Sequence, residues 1–244
     1  MKEALFEKIE SLLDIERNKN YKVLDLGCGQ GDFLGRLSNA MAPDSLLVGI
    51  DALAKSVESA KGRFPILEFH CEKFTDILDF EDNTFDIVVS IDTLECIPDK
   101  SALVTEISRV LSPSGKVAIS HWDWDTQVYP SKNKAVVRKL VAAFSDWQQE
   151  WMDDSDGQMG RQLWGLLEGS GRFKGVISSF TLLETKYREG YYGHDRLRDL
   201  AILVESGCVD PAEYEMICSE MESLSNSGEY FYSVNSYIYT GEPA

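Results

Sequence analysis

At 244 residues, 43% of them hydrophobic, the chain carries enough apolar material for one well-filled domain, which excludes disorder as its main state. Its 41 acidic against 24 basic residues give a formal net charge of −17, so neither nucleic acid nor an anionic membrane is an expected partner. Cys28, Cys71, Cys96, Cys208 and Cys218 are odd in number, widely spaced and free of any CxxC pair; together with the lack of a signal-like or membrane-length apolar run, they predict a soluble cytoplasmic protein without a metal site.

In chain order, residues 3–17 place Leu5, Phe6, Ile9, Leu12 and Leu13 at helical spacing. That amphipathic helix either packs on a sheet edge or closes over a ligand. Strands are predicted over 22–26, 46–50, 66–70, 85–90 and 116–120, separated by short helices and turns. The clearest helix is 101–111, stopped by Pro113 and Gly115. Near-continuous apolar strands alternating with helices predict a parallel sheet covered on both faces. From about Thr126 the pattern turns helical, over 132–153 and 158–168. A strand over 175–186, helices over 195–205 and 211–223, and a last strand over 230–240 follow. The last strand alternates aromatic and polar residues, as an antiparallel strand does. The expected organisation is one domain over 1–244: an N-terminal helix to residue 20, a core over 21–125, a helical insert capping the sheet over 126–175, and a C-terminal part over 176–244 that completes the sheet.

The run Val23-Leu24-Asp25-Leu26-Gly27-Cys28-Gly29-Gln30-Gly31 delivers a buried strand into a turn with glycine at alternate positions. Such a turn lets backbone pass close beneath a ligand. A dinucleotide fingerprint has two residues between its second and third glycines, whereas only Gln30 stands between Gly29 and Gly31. No GKS or GKT follows, which excludes a P-loop. Asp25 suits a cationic amino group and would repel phosphate. Asp51, 20 residues beyond Gly31 at the end of the second strand, can accept hydrogen bonds from ribose hydroxyls or cap the next helix.

These segments resemble the class I S-adenosylmethionine-dependent methyltransferases, in particular small-molecule enzymes with a quinone-methyltransferase-like core. VLDLGCGQG, VGID, NTFDIVVSIDTLECIPD and EISRVLSPSGKVAIS carry the likeness, over about residues 20–120. It implies a Rossmann-like α/β fold: a seven-stranded, mostly parallel sheet with an antiparallel terminal strand and a helical cap insert. It also implies S-adenosyl-L-methionine as cofactor and methyl transfer to a small-molecule amine, thiol or hydroxyl. On this reading Asp25, Gly27, Cys28, Gly29 and Gly31 flank the methionine portion, and Asp51 beside Ala52 binds the ribose. Cys71, Glu72 and Phe74 surround adenine, where many relatives carry an Asp–Ala pair. Ser90 and Ile91, with Asp92, lie near the sulfonium.

Ligands of open parallel sheets sit beyond the carboxyl ends of the strands. The fifth strand carries Ser120-His121-Trp122-Asp123-Trp124-Asp125-Thr126-Gln127 to that edge. If the run stays extended, His121, Asp123 and Asp125 share one side and Trp122 and Trp124 the other. His121 is the expected base, with Asp123 beside it as a second catalytic residue. Trp122, Trp124, Gln127, Trp151, Asp156, Gln158 and Tyr191 are expected at the substrate, and the mixture of Asp and Trp favours an amine. The competing readings are an NAD-dependent oxidoreductase and a regulatory protein that binds the cofactor without catalysis.

Overall fold

The computed structural model describes residues 2–73 and 77–244, and of Lys2 the backbone alone. Helix α1 (Lys2–Leu13) precedes two strand–helix units and a third strand: β1 (Lys22–Leu26) and α2 (Asp32–Ser38), β2 (Leu46–Asp51) and α3 (Ala54–Arg63), then β3 (Glu68–Cys71). Next come β4 (Phe85–Ile91), α4 (Lys100–Val110) and the long β5 (Leu111–Val128). Helices α5 (Lys134–Ser145) and α6 (Met159–Leu167) lead to β6 (Phe173–Glu184). Helices α7 (Tyr192–Asp199), α8 (Ala201–Glu205) and α9 (Pro211–Ser227) then lead to β7 (Tyr232–Pro243).

The seven strands form one sheet in the order β3-β2-β1-β4-β5-β7-β6. Strands β1 to β5 pair in parallel, and β7 runs antiparallel to both β5 and β6. The strand order reverses between β1 and β4, which opens a crevice at their carboxyl ends. Alternation along each strand feeds two cores. Val23, Leu47, Ile87 and Val89 face α1, α2, α3, α5 and the C-terminal helices. Leu24, Leu26, Val48, Ile50 and Val88 face α4 and α6. Local chemistry sets the helix starts: the Asp99 side chain accepts from the Ala102 N–H, and Asp210 from the Glu213 N–H, with Pro211 in the first turn.

Several boundaries differ from the sequence reading for tertiary reasons. The apolar periodicity of 132–153 runs on, yet α5 stops at Ser145. The chain then folds back onto β5, where the Trp124 N–H donates to the Gly157 carbonyl at 2.8 Å. Gly157 lies so tightly on Ser145 that a Cβ would stand 2.2 Å from its carbonyl oxygen. The helix expected over 195–205 divides at Leu200, and α7 begins earlier, at Tyr192. Its start is set by Glu184, whose carboxylate accepts from the Tyr192 and Gly193 N–H groups at 2.9 Å each. The insert divides between the sheet faces: α5 packs with β5 and α9, whereas α6 packs with α4, β5 and β7. Only the connection 146–158 sends side chains to the crevice. Among the described residues no helix is long and apolar enough to cross a membrane.

Candidate active site

A cavity of about 510 Å³ lies at the crevice, a size suited to one nucleoside-sized ligand with room beside it. Its floor is the turn after β1. The Gly27 and Cys28 N–H groups donate to the Ile50 carbonyl at 2.8 and 3.0 Å, which ties this turn to β2. Gly27 has φ +78°, and a Cβ there would stand 2.0 Å from Thr93 Oγ1. Gly29 has φ +53° and nothing within 4 Å of where a Cβ would be, so its open side is the cavity itself. The Asp51 carboxylate ties this turn to the start of α3: Oδ2 accepts from the Gly29 N–H at 2.9 Å and Oδ1 from the Leu53 N–H at 2.8 Å. Each oxygen keeps a second lone pair, so the capping and ligand-binding readings of Asp51 are compatible.

Asp25 borders the same space and is only 2% exposed. Burial, reinforced by the charge of Asp51, pushes its carboxyl up to about 8, and among the described residues no hydrogen bond from a side chain or backbone lowers it. Burial, with Asp25 and Asp51 adding, also pushes the Cys28 thiol well up, so it stays a neutral wall group. Ile91 ends β4 and Asp92 follows it. Asp92 takes φ +60° while its N–H donates to the Ser120 carbonyl at 2.8 Å, and its carboxylate borders the cavity. Trp122 and Tyr192, with ring centroids 5.3 Å apart, form an aromatic wall. Leu5 and Phe6 of α1 close the top, with Phe6 edge-on to Phe33 at 5.2 Å. Lys73 and Asp153, paired at 2.6 Å, close one side.

The sequence matches a family model described as "Methyltransferase domain" over residues 17–184, more than half of the chain. The chain belongs to that methyltransferase family. It is 35% identical over 122 residues to phosphoethanolamine N-methyltransferase 1 of Triticum aestivum, covering 48% of this chain and 24% of that protein. It is 32% identical over 154 residues to demethylmenaquinone methyltransferase of Staphylococcus aureus, covering 58% of this chain and 63% of that protein. The chain thus spans less than two thirds of the length of these relatives. A solved Bacillus halodurans protein described as a methyltransferase shares the fold with a TM-score of 0.63 and 17% identity, covering 98% of both chains.

Within this methyltransferase domain the sequence-predicted residues separate into two groups. Asp25, Gly27, Cys28, Gly29, Asp51, Ala52, Ile91, Trp122 and Trp151 border the cavity. Gly31 does not: a Cβ there would meet Phe69 at 2.8 Å, so this glycine lets two aromatic rings approach. Ser90 holds β4 to β1 through its hydroxyl, which donates to the Leu26 carbonyl at 2.8 Å. Cys71 and Glu72 lie just outside the wall, the thiol directed at the Ala52 carbonyl and the Glu72 N–H at that of Asp51. Phe74 falls outside the described residues.

On β5 the run stays extended and the expected alternation is present, but only Trp122 reaches the cavity. Asp123 is fully buried and bound through both oxygens to Arg161 at 2.5 Å, which corrects its expected catalytic place. Trp124 lies behind Trp122 and against Phe144. Gln127 holds the Trp124 carbonyl and the Tyr232 hydroxyl inside the core. Asp156 accepts from the Gln158 N–H and from Gln162, and Gln158 donates to Asp125, so this pair anchors the start of α6. Tyr191 turns to Arg188, and its neighbour Tyr192 takes the wall position. His121 is fully buried: its Nδ1 meets the Trp122 carbonyl at 2.8 Å, and its Nε2 is separated from the cavity by Asp92. Glu95, whose carboxyl is pushed up by burial, stands beside them. Lys73, Thr93 and Cys96 on the wall were not expected from sequence; no local pattern marks them, because the connections after β3 and β4 bring them there.

Proposed function

We propose that this chain transfers a methyl group from S-adenosylmethionine to a small-molecule nucleophile seated against Asp92, Trp122 and Tyr192. The observation that carries this reading is Asp25: a buried carboxyl with no stabilising donor among the described residues, beside an open glycine turn, suits a cationic ligand that brings its own hydrogen-bond donors. When bound, the cofactor supplies a methyl group on a cationic sulfur. Asp25 receives the ammonium of the methionine portion, and Asp51 offers its free lone pairs to ribose hydroxyls. Leu5, Phe6 and Trp122 exclude water, which strengthens every polar contact inside. Holding acceptor and donor in one small space supplies most of what a displacement needs.

The wall also limits the acceptor. Lys73 is the one cationic side chain bordering the cavity among the described residues, and Asp153 already pairs it. An acceptor carrying phosphate finds no partner there, which separates this site from the substrate named for the wheat relative. Amines, thiols and hydroxyls without phosphate fit. The likeness to the S. aureus enzyme supports a quinone-methyltransferase-like core for the cofactor half, and the aromatic pair accommodates a flat acceptor equally well.

Methyl-labelled cofactor incubated with a panel of amines, thiols and phenols tests this function. Transfer to at least one class is expected; tight cofactor binding with no transfer would support the regulatory reading instead. In the same system Asp51→Ala is expected to weaken cofactor binding on the order of tenfold to a hundredfold, since two hydrogen bonds of about 1 kcal/mol each are lost. Calorimetry reads this directly, and an unchanged affinity would remove Asp51 from the ribose.

A further inference from the structure

The chain has three histidines, and each stands near a carboxylate. Two close the gap: His70 Nε2 is 2.6 Å from Glu68, and His194 Nδ1 is 2.8 Å from Asp195. His121, the fully buried one, does not. The Trp122 carbonyl only accepts, so Nδ1 carries the hydrogen and Nε2 is the ring nitrogen left to face the carboxylates. That nitrogen is buried without a hydrogen-bond partner among the described residues. It faces Asp92 Oδ1 at 3.5 Å and Glu95 Oε2 at 3.9 Å, and the three atoms lie within 4.8 Å of one another.

Three electron-rich atoms around one point repel unless something positive stands between them. A shared proton would pull one pair to hydrogen-bond distance, as at His70 and His194. Ligands held at about 2.1 Å from one ion stand instead about 3–3.5 Å apart, a spacing that the His121–Asp92 pair at 3.5 Å meets and the His121–Glu95 pair at 3.9 Å approaches.

We infer that Asp92, Glu95 and His121 form a binding site for one divalent first-row transition-metal ion, at the cavity rim between the end of β4 and the middle of β5. One imidazole with two carboxylates suits Zn²⁺, Mn²⁺ or Fe²⁺. Glu95 and His121 are buried whereas Asp92 borders the cavity, so the protein covers one side of the ion and leaves the other toward the acceptor space. A cation held there neutralises both carboxylates and offers a position to an acceptor oxygen, nitrogen or sulfur. His121 then acts as a ligand, in place of the base expected from sequence. Cysteine and histidine spacing gave no hint of this site, because its members come from the connection after β4 and from the middle of β5.

The inference does not depend on methyl transfer, and its test uses no cofactor. The full chain, stripped with a chelator, is titrated with Zn²⁺ by calorimetry and with Co²⁺ by visible absorption. One ion per chain is expected, with Co²⁺ gaining visible bands of low coordination number and Zn²⁺ raising the melting temperature. Glu95→Gln and His121→Asn are each expected to weaken binding by about 100-fold or more. Asp92→Asn, at the exposed rim, is expected to lose the ion while keeping the melting temperature of the metal-free chain. Failure of the wild-type chain to bind one equivalent would overturn the site. So would binding that persists in Asp92→Asn and His121→Asn, which would assign the ion to the free thiols.

Discussion

Replacing Asp25 by Asn is expected to abolish cofactor binding and, at pH 8, to stabilise the ligand-free chain. Both effects come from one buried carboxyl. In the folded chain it titrates near 8, whereas in the unfolded chain it titrates near the ordinary aspartate value of about 4. Between those values the folded state holds a proton that the unfolded state has released. Stability contributed by this group is therefore complete below about pH 4, falls as pH rises through the window, and levels off above about 8. Asparagine keeps the size and removes the titration, so most of this pH-dependent loss should disappear. Binding an ammonium beside Asp25 requires the ionised form, so at pH 7 the wild-type chain should release close to one proton as it binds S-adenosylmethionine. Calorimetry in buffers of different ionisation enthalpy measures that proton, and urea denaturation from pH 5 to 9 measures the slope. Proton release that persists in Asp25→Asn, or cofactor affinity that survives it, would remove Asp25 from the ammonium.

What made this half of the site legible is that it is written in contiguous sequence. Asp25, Gly27 and Gly29 belong to one strand and its turn, and Asp51 ends the neighbouring strand, so strand register alone brings them together. The sheet was legible for the same reason, since apolar runs broken by glycine and proline report strands wherever they lie. The acceptor half depends on pairings across long stretches of chain. Lys73 meets Asp153, and Asp123 meets Arg161, through connections that no periodicity announces. Tyr191 and Tyr192 differ by one residue, yet only the second faces the cavity, because Glu184 fixes where α7 begins. The apolar spacing that suggested helix through residue 153 is real at Phe144 and Trp147, whose rings meet at 6.3 Å, but backbone bonding to β5 ends the helix first.

The Asp123–Arg161 pair separates a structural charge from a catalytic one. Gly160 allows α6 to lie against β5 so closely that a Cβ there would stand 2.9 Å from the His121 carbonyl and 3.2 Å from Asp123 Cβ. That approach buries Asp123 completely and leaves the Arg161 fork as the partner of both its oxygens, with Asp125 a further 3.6 Å contact on the solvent side. Arg161→Met keeps the stem that covers the sheet and removes the charge, so a carboxylate is left inside without a donor. The expected loss is about 3 kcal/mol, at the low end for a broken buried pair because Arg161 is partly open to water. Adding Asp123→Asn should recover much of that loss, since the double variant buries no unpaired charge, and a coupling of about 2 kcal/mol from the full cycle is the signature. Urea midpoints at pH 7.5 supply the four numbers. Cofactor affinity per folded molecule should stay the same in all four chains, because neither side chain borders the cavity. An Asp123→Asn chain with wild-type stability but no methyl transfer would reverse this assignment and return Asp123 to the chemistry.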